Sequence, residues 1–307
     1  MPQRHWRPRK FIRGLKKYAE DAHGAPGVEK IDMKLSITTL VEDTAGGRGL
    51  LAEHGLSFWI ELGSQKMLFD TGQGLALAHN AGRLDVKLEQ AGAVLISHGH
   101  YDHTGGLGAV LSLPGERAVY AHPAALKPKY GRNPEGAARE IGVPALDEKA
   151  IRARAELLLN EKPVEVGEGL FLTGPVPRRT DFEDTGGGFY TDLACRRPDP
   201  IEDDQSAFID TPGGTVVVLG CAHAGVVNTL DYIRKLTGNR RVHTVLGGMH
   251  LLAAGPVRLN KTVEAFRRID ARRLIPCHCT GFAAMARLWR EFPDQFDTCR
   301  AGSVFEW

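Results

Sequence analysis

No run of about 18 consecutive apolar residues occurs in the sequence, which excludes a membrane-spanning helix. The N-terminus also lacks the apolar stretch of a secretory signal. Cysteine is scarce and uneven: Cys195, Cys221, Cys277, Cys279 and Cys299 are odd in number and sit late in the chain, so they do not make a disulfide framework. These absences together give the expectation of a cytoplasmic protein. Excess charge is missing as well. With 39 basic and 37 acidic residues the formal charge is +2, so no overall field selects nucleic acid or an anionic membrane. What is present is apolar substance: 42% of 307 residues are hydrophobic, enough for one large α/β domain or two small ones.

The texture changes along the chain. Residues 1–33 read as an N-terminal extension, basic over Met1 to Lys17, where no acidic residue occurs and Trp6, Phe11 and Leu15 are interleaved. A solvated arm or a packed helix accounts for it without a function. From Lys34 short strands are predicted at Leu35 to Val41, Leu56 to Leu62, Lys66 to Phe69 and Ala93 to Ile96. Residues 123–192, rich in Pro and Gly and carrying Lys127, Lys129, Arg132, Arg178 and Arg179, read as an insertion or lid with one helical stretch near Glu148 to Leu159. A second half follows. It has strands at Ser206 to Asp210, Thr215 to Leu219, His243 to Leu246 and Arg273 to Pro276, and helices at Val226 to Leu236, Thr262 to Ile269 and Ala283 to Glu291. Two β-rich halves, each ending in helices, suit an αββα sandwich.

Chemistry concentrates in Ser97-His98-Gly99-His100-Tyr101-Asp102-His103. Zinc-type ions need neutral imidazoles and carboxylates converging within about 2.0–2.2 Å, and short spacings in a tight loop can supply them. Alternation puts His98 and His100 on one side to grip one ion; Asp102 and His103, at the following bend, reach a second. Three later histidines each follow a predicted strand: His223 in Gly220-Cys221-Ala222-His223, His250 in Gly247-Gly248-Met249-His250, and His278 in Cys277-His278-Cys279. His223 and His278 are expected to complete the metal shell. His250 is open between a ligand and a group that hydrogen-bonds substrate or developing charge. Cys277 and Cys279 are expected to point away from His278 and pack.

The segment from His98 through Thr104-Gly105-Gly106-Leu107, with Phe69-Asp70-Thr71-Gly72 before it, resembles the signature of the metallo-β-lactamase superfamily over about Lys34 to the C-terminus. The resemblance implies a four-layer αββα sandwich with two metals at one edge, His98 and His100 on the first and Asp102 and His103 on the second. Where the commonest pattern of that superfamily has a Gly-Asp pair bridging both metals, this chain reads Gly220-Cys221. Either Cys221 or His223 takes that place, or the second metal is held more weakly; Cys221 as an inert buried thiol is the plainer reading. The segments Glu53-His54-Gly55-Leu56-Ser57, Gly174-Pro175-Val176-Pro177-Arg178 and Gly220 to Gly225 further resemble the dihydropterin-ribofuranosylaminobenzene 5′-phosphate synthase-like subgroup.

These readings imply an enzyme with two Zn2+ per chain, Mn2+ or Fe being the alternatives. Its expected chemistry is hydrolysis by metal-activated water, with Asp102 orienting the water and His250 assisting. The alternative is a pterin-dependent synthase that releases pyrophosphate. Di-iron redox chemistry and a noncatalytic binding module are further options, the first disfavoured by the all-imidazole first pair. The substrate is expected to be a small phosphorylated molecule held by Arg178 and Lys127. A homo-oligomer is compatible with the sequence; a membrane or nucleic-acid partner is not suggested.

Overall fold

The computed structural model describes residues 34–133, 135–144 and 147–307, so the basic extension over 1–33 lies outside the described residues. The first half lays down β1 (Leu35–Val41), β2 (Ser57–Leu62), β3 (Gln65–Phe69), β4 (Ala93–Leu95) and β5 (Ala118–Ala121). Helices α1 (Leu77–Arg83), α2 (Tyr101–Thr104) and α3 (Leu107–Leu111) lie between them. Next come β6 (Tyr130–Arg132), β7 (Ala138–Glu140), α4 (Glu148–Arg152), β8 (Glu156–Leu159), β9 (Val164–Gly167), β10 (Leu170–Leu172) and β11 (Phe189–Tyr190). The second half contains β12 (Ala207–Thr211), β13 (Gly214–Leu219), α5 (Val226–Leu236), β14 (Val242–Gly248) and α6 (Pro256–Ile269). It closes with β15 (Arg273–Cys277), α7 (Phe282–Glu291) and β16 (Val304–Glu306).

Two sheets stack face to face, one in the order β16-β1-β2-β3-β4-β5-β8 and the other β15-β14-β13-β12-β10-β9. Strand alternation explains the layering. Val216 and Val218 of β13 point into the core between the sheets with Ile37, Phe58 and Leu95, while Val217 and Leu219 point out to α5, α6 and α7. On the far side Leu68, Val94 and Val119 meet Leu77, Leu107 and Val110 of α1 and α3. Every residue of β13 is buried because helices cover one face of its sheet and the first sheet covers the other. Helix α5 buries Val226, Leu230 and Ile233, one face at helical spacing. The architecture is the expected αββα sandwich.

Two sequence expectations are corrected. The helix over Glu148 to Leu159 stops at Arg152, and Glu156–Leu159 is a strand. Asp147 caps the short helix by accepting the Ala150 N–H. Parallel pairing with β5 then recruits the leucine run: Leu157 packs in the α1/α3 layer and Leu158 against the inter-sheet core. Residues 123–192 are therefore not one insertion, since β8 belongs to the first sheet and β9 and β10 to the second. What stands apart is a three-stranded sheet, β11-β6-β7, set over the sandwich edge described next.

Candidate metal centre

Strands β1, β3, β4, β13, β14 and β15 all release the chain at one edge of the sandwich, and their exits carry Asp43, Asp70, His98, Cys221, His250 and His278. Strand ends that share a direction gather side chains distant in sequence while the core below stays packed. The loop after β4 passes so close to the backbone of Ala125 that a Cβ at position 99 would collide with its carbonyl, which is why glycine separates His98 from His100.

The imidazoles converge. His98 Nε2 faces His100 Nδ1 at 3.0 Å, and the donor atoms of His98, His100 and His223 lie within 4.8 Å of one another. Beside them, Asp102 Oδ2 lies 3.6 Å from His103 Nε2 and 3.4 Å from His278 Nε2. Cys221 Sγ sits 3.1 Å from His103 Nε2 and forms compact groups with His98 and His103, with His223 and His250, and with His278 and Cys279. It lies at the junction of the two sets.

Each ring is held from behind. Asp70 accepts His103 Nδ1–H at 2.7 Å and the Ser97 hydroxyl at 2.7 Å, and that hydroxyl is 2.9 Å from His98 Nδ1. The carbonyl of Thr185 accepts His223 Nδ1–H at 2.8 Å, and Asp43 accepts His278 Nδ1–H at 2.8 Å. This leaves His223 Nε2 and His278 Nε2 buried without a hydrogen-bond partner, and His100 Nε2 is buried without one as well. An unsatisfied buried polar atom costs about 1–3 kcal/mol. Buried imidazole nitrogens without a partner, on rings that His98, Thr185 and Asp43 hold in place, are what metal ligation requires, so the residues fit metal binding.

Electrostatics favour the ligating form at His98, His100, His223 and Asp102, and the protonated form at His278 and Cys221. Burial, then the neighbouring imidazoles, push His98 and His223 well below the ordinary histidine value; His100 falls to about 3, chiefly through burial. Neutral imidazole is the ligating form. Burial works to raise Asp102, but His103 and His278 outweigh it and keep the carboxylate ionised. His278 is raised because Asp102 and Asp43 overcome its burial. Burial, and next the Cys279 thiol, raises Cys221.

His250 lines the same cavity, of about 500 Å³, with its ring 4.2 Å from that of His223 and its Nδ1 unpartnered. Lys127 and Arg178 do not line it. Lys127 faces Glu202 at 3.7 Å, and Arg178 donates to the Pro200 carbonyl at 2.7 Å. Lys129, counted in the sequence among the cations of an insertion, is buried and bonded to Asp199 at 3.0 Å and Asp203 at 2.7 Å. Asp203 in turn accepts the Gly99 N–H at 2.7 Å, so the triad supports the metal loop from below. Cys277 packs in the core as expected. Cys279 does not point away: its Sγ donates to the Cys221 carbonyl at 3.7 Å, because the chain turns into a short 3-10 helix at His278 and strand alternation ends there.

Sequence reasoning assigned no role to Asp43 or His54. His54 lies with its ring tilted 5.1 Å from that of His278 and its Nε2 3.4 Å from Asp102, and only its place in the Glu53-His54-Gly55-Leu56-Ser57 segment hinted at it. Asp43 carries no local signal beyond its position just after β1.

Residues 51–278 match the model of the metallo-beta-lactamase superfamily. The chain belongs to the metallo-beta-lactamase superfamily. It is 30% identical over 290 residues to the 7,8-dihydropterin-6-methyl-4-(beta-D-ribofuranosyl)-aminobenzene-5'-phosphate synthase of Methanocaldococcus jannaschii, spanning 91% of this chain and 98% of that protein. Among solved structures it is similar to Tm1679, described as a metal-dependent hydrolase of the beta-lactamase superfamily. The identity is 33% and the TM-score 0.76, over 89% of this chain and 99% of that one. The metallo-beta-lactamase fold protein YhfI of Bacillus subtilis, at 14% identity and TM-score 0.54 over 90% of this chain and all of its own, shares the fold alone. This superfamily member has, among its described residues, no helix long and apolar enough to cross a membrane.

Proposed function

We propose that the chain is a two-metal enzyme acting on a small phosphate-bearing molecule, with His98, His100 and His223 holding one ion and Asp102, His103 and His278 the other. The observation that carries this reading is the convergence of His98, His100 and His223, together with His223 Nε2 and His278 Nε2, which are buried and unpartnered while their outer nitrogens are fixed. Cys221, grouped with His98 and His103 and also with His223 and His250, would offer its sulfur to both ions, in the place where a bridging carboxylate is usual in this superfamily. The donor set of five imidazoles, one carboxylate and one thiolate suits zinc, with manganese or iron as weaker competitors.

Bound there, paired ions lower the pKa of water and stabilise charge on ester or phosphoryl oxygens. The chain's own residues do the rest. Asp102, ionised and buried, accepts and orients the attacking water's proton. His250 hydrogen-bonds substrate at the cavity wall through its unpartnered Nδ1. Hydrolysis is the resulting reaction.

A second reading is favoured by the near full-length match to the Methanocaldococcus jannaschii synthase. In it an aminobenzene nitrogen, not water, displaces pyrophosphate from the donor's methylene carbon and gives up one N–H proton. Incubating zinc-loaded protein with bis(4-nitrophenyl) phosphate, and separately with a dihydropterin pyrophosphate plus an aminobenzene acceptor, separates the two. Nitrophenol release supports hydrolysis, and acceptor-dependent pyrophosphate release supports the synthase. Neither product from fully metal-loaded protein overturns both.

A further inference from the structure

Arg139 is the lone lysine or arginine among the described residues lining the cavity over the metal centre. Other cations of the same region are engaged: Lys127 with Glu202, Lys129 with Asp199 and Asp203, and Arg178 with the Pro200 carbonyl. Arg139 makes no ion pair among the described residues. Its guanidinium carbon lies 5.6 Å from the centre of the Tyr101 ring, a cation–π contact that leaves the donor fork free.

The position is a fixed one. Tyr101 opens the helix that carries Asp102 and His103, and its N–H donates to the Ile141 carbonyl at 3.0 Å, two residues beyond Arg139. The strand bearing Arg139 is thus tied to the metal loop.

Elsewhere the same cavity presents an apolar surface. Phe282 is 82% exposed and Leu252 73% exposed, and both line it, with Met285 beside them and Phe189 packed against the rings of His100 and His223. Scattered exposed apolar residues need no explanation, but several large ones lining a single concave site are the mark of an apolar ligand surface. A cavity of about 500 Å³ takes a drug-sized small molecule.

We infer that the substrate is a ring-bearing phosphate monoester whose phosphate, remote from the reacting bond, is clamped by Arg139 while its ring lies against Phe282 and Leu252. This rests on the enzyme reading above and adds to it the recognition chemistry. Arginine offers a phosphate two parallel N–H donors, and Tyr101 holds that fork close to the metal loop.

The test uses cobalt-loaded full chain titrated calorimetrically with phenyl phosphate and with inorganic phosphate. Losing a charge-assisted bidentate contact weakens binding by roughly tenfold or more. Arg139→Met should therefore weaken phenyl phosphate at least about tenfold, with Arg139→Lys intermediate. Phe282→Ser should weaken phenyl phosphate severalfold and leave inorganic phosphate unchanged. The visible cobalt spectrum should not move on binding, because the phosphate rests on Arg139 and not on metal. Unchanged phenyl phosphate affinity in Arg139→Met, or a cobalt spectrum that shifts with binding, overturns the inference. Absence of bound cobalt instead sinks the metal reading, a separate failure recorded before any titration begins.

Discussion

Asp70 is the residue whose alteration tests the site's construction most sharply, because it touches the ligands without being one. Its Oδ1 accepts the Ser97 N–H at 2.8 Å, and its Oδ2 accepts both the Ser97 hydroxyl and His103 Nδ1–H at 2.7 Å. Asp70→Asn keeps the shape and the first bond but replaces Oδ2 with a donor. Two donors then face each other across 2.7 Å, and His103 relieves the clash by moving its proton to Nε2, the nitrogen that must be bare to ligate. Loss of such an outer partner typically costs 10–100-fold in metal affinity, about 1.4–2.8 kcal/mol. The weakened ion is the one on Asp102, His103 and His278. The ion on His98, His100 and His223 loses less, since only His98 feels Asp70, through Ser97. Chelator competition, reading two dissociation constants per chain, measures this. Two wild-type constants in Asp70→Asn, or equal weakening of both in a protein that still melts cooperatively, would refute the reasoning.

Other outcomes follow from the same geometry. Cobalt-loaded protein should show a near-ultraviolet thiolate charge-transfer band that Cys221→Ser abolishes and Cys299→Ser keeps; a band that survives Cys221→Ser removes that thiol from the centre. Asp204 is pushed up to about 7, by burial first, against the N–H groups of Ala224 and His223. Its folded form keeps a proton that the unfolded chain releases near pH 4, so its contribution to stability is complete below about pH 4 and is lost as pH rises to about 7. In metal-free protein, Asp204→Asn should accordingly gain on wild type in melting temperature between pH 5 and pH 8. A wild-type-minus-variant difference that does not change with pH would contradict that assignment.

Much of this was legible because the signals were local. A few apolar residues at strand or helical spacing suffice to mark an element, so β1 and α5 coincide with the sequence reading to the residue. The His98 to His103 loop is dense enough to announce metal chemistry. Leu157 to Leu159 misled because a short apolar run fits a helix or a strand equally, and the open edge of β5, invisible in one dimension, decides between them. Lys127 and Arg178 lie outside the cavity's lining, since charge density along the chain does not say which cation the fold leaves unpaired. Arg139 sat unremarked in the same stretch, and only the three-stranded sheet brings it to the cavity that the histidines line. Asp43 and Asp70 act through a third residue, a role that leaves no spacing of its own.

The central claim is that two converging ligand sets hold two ions, and metal counting tests it most directly. Elemental analysis after zinc reconstitution and desalting should give about two equivalents per chain in the unaltered protein. His98→Ala should lose the first ion with its fold intact, and His243→Ala, whose Nδ1 pairs with Thr244 Oγ1 at 2.8 Å on β14, should keep both. Fewer than half an equivalent in the unaltered protein, or equal loss in the His243→Ala control, would contradict the account.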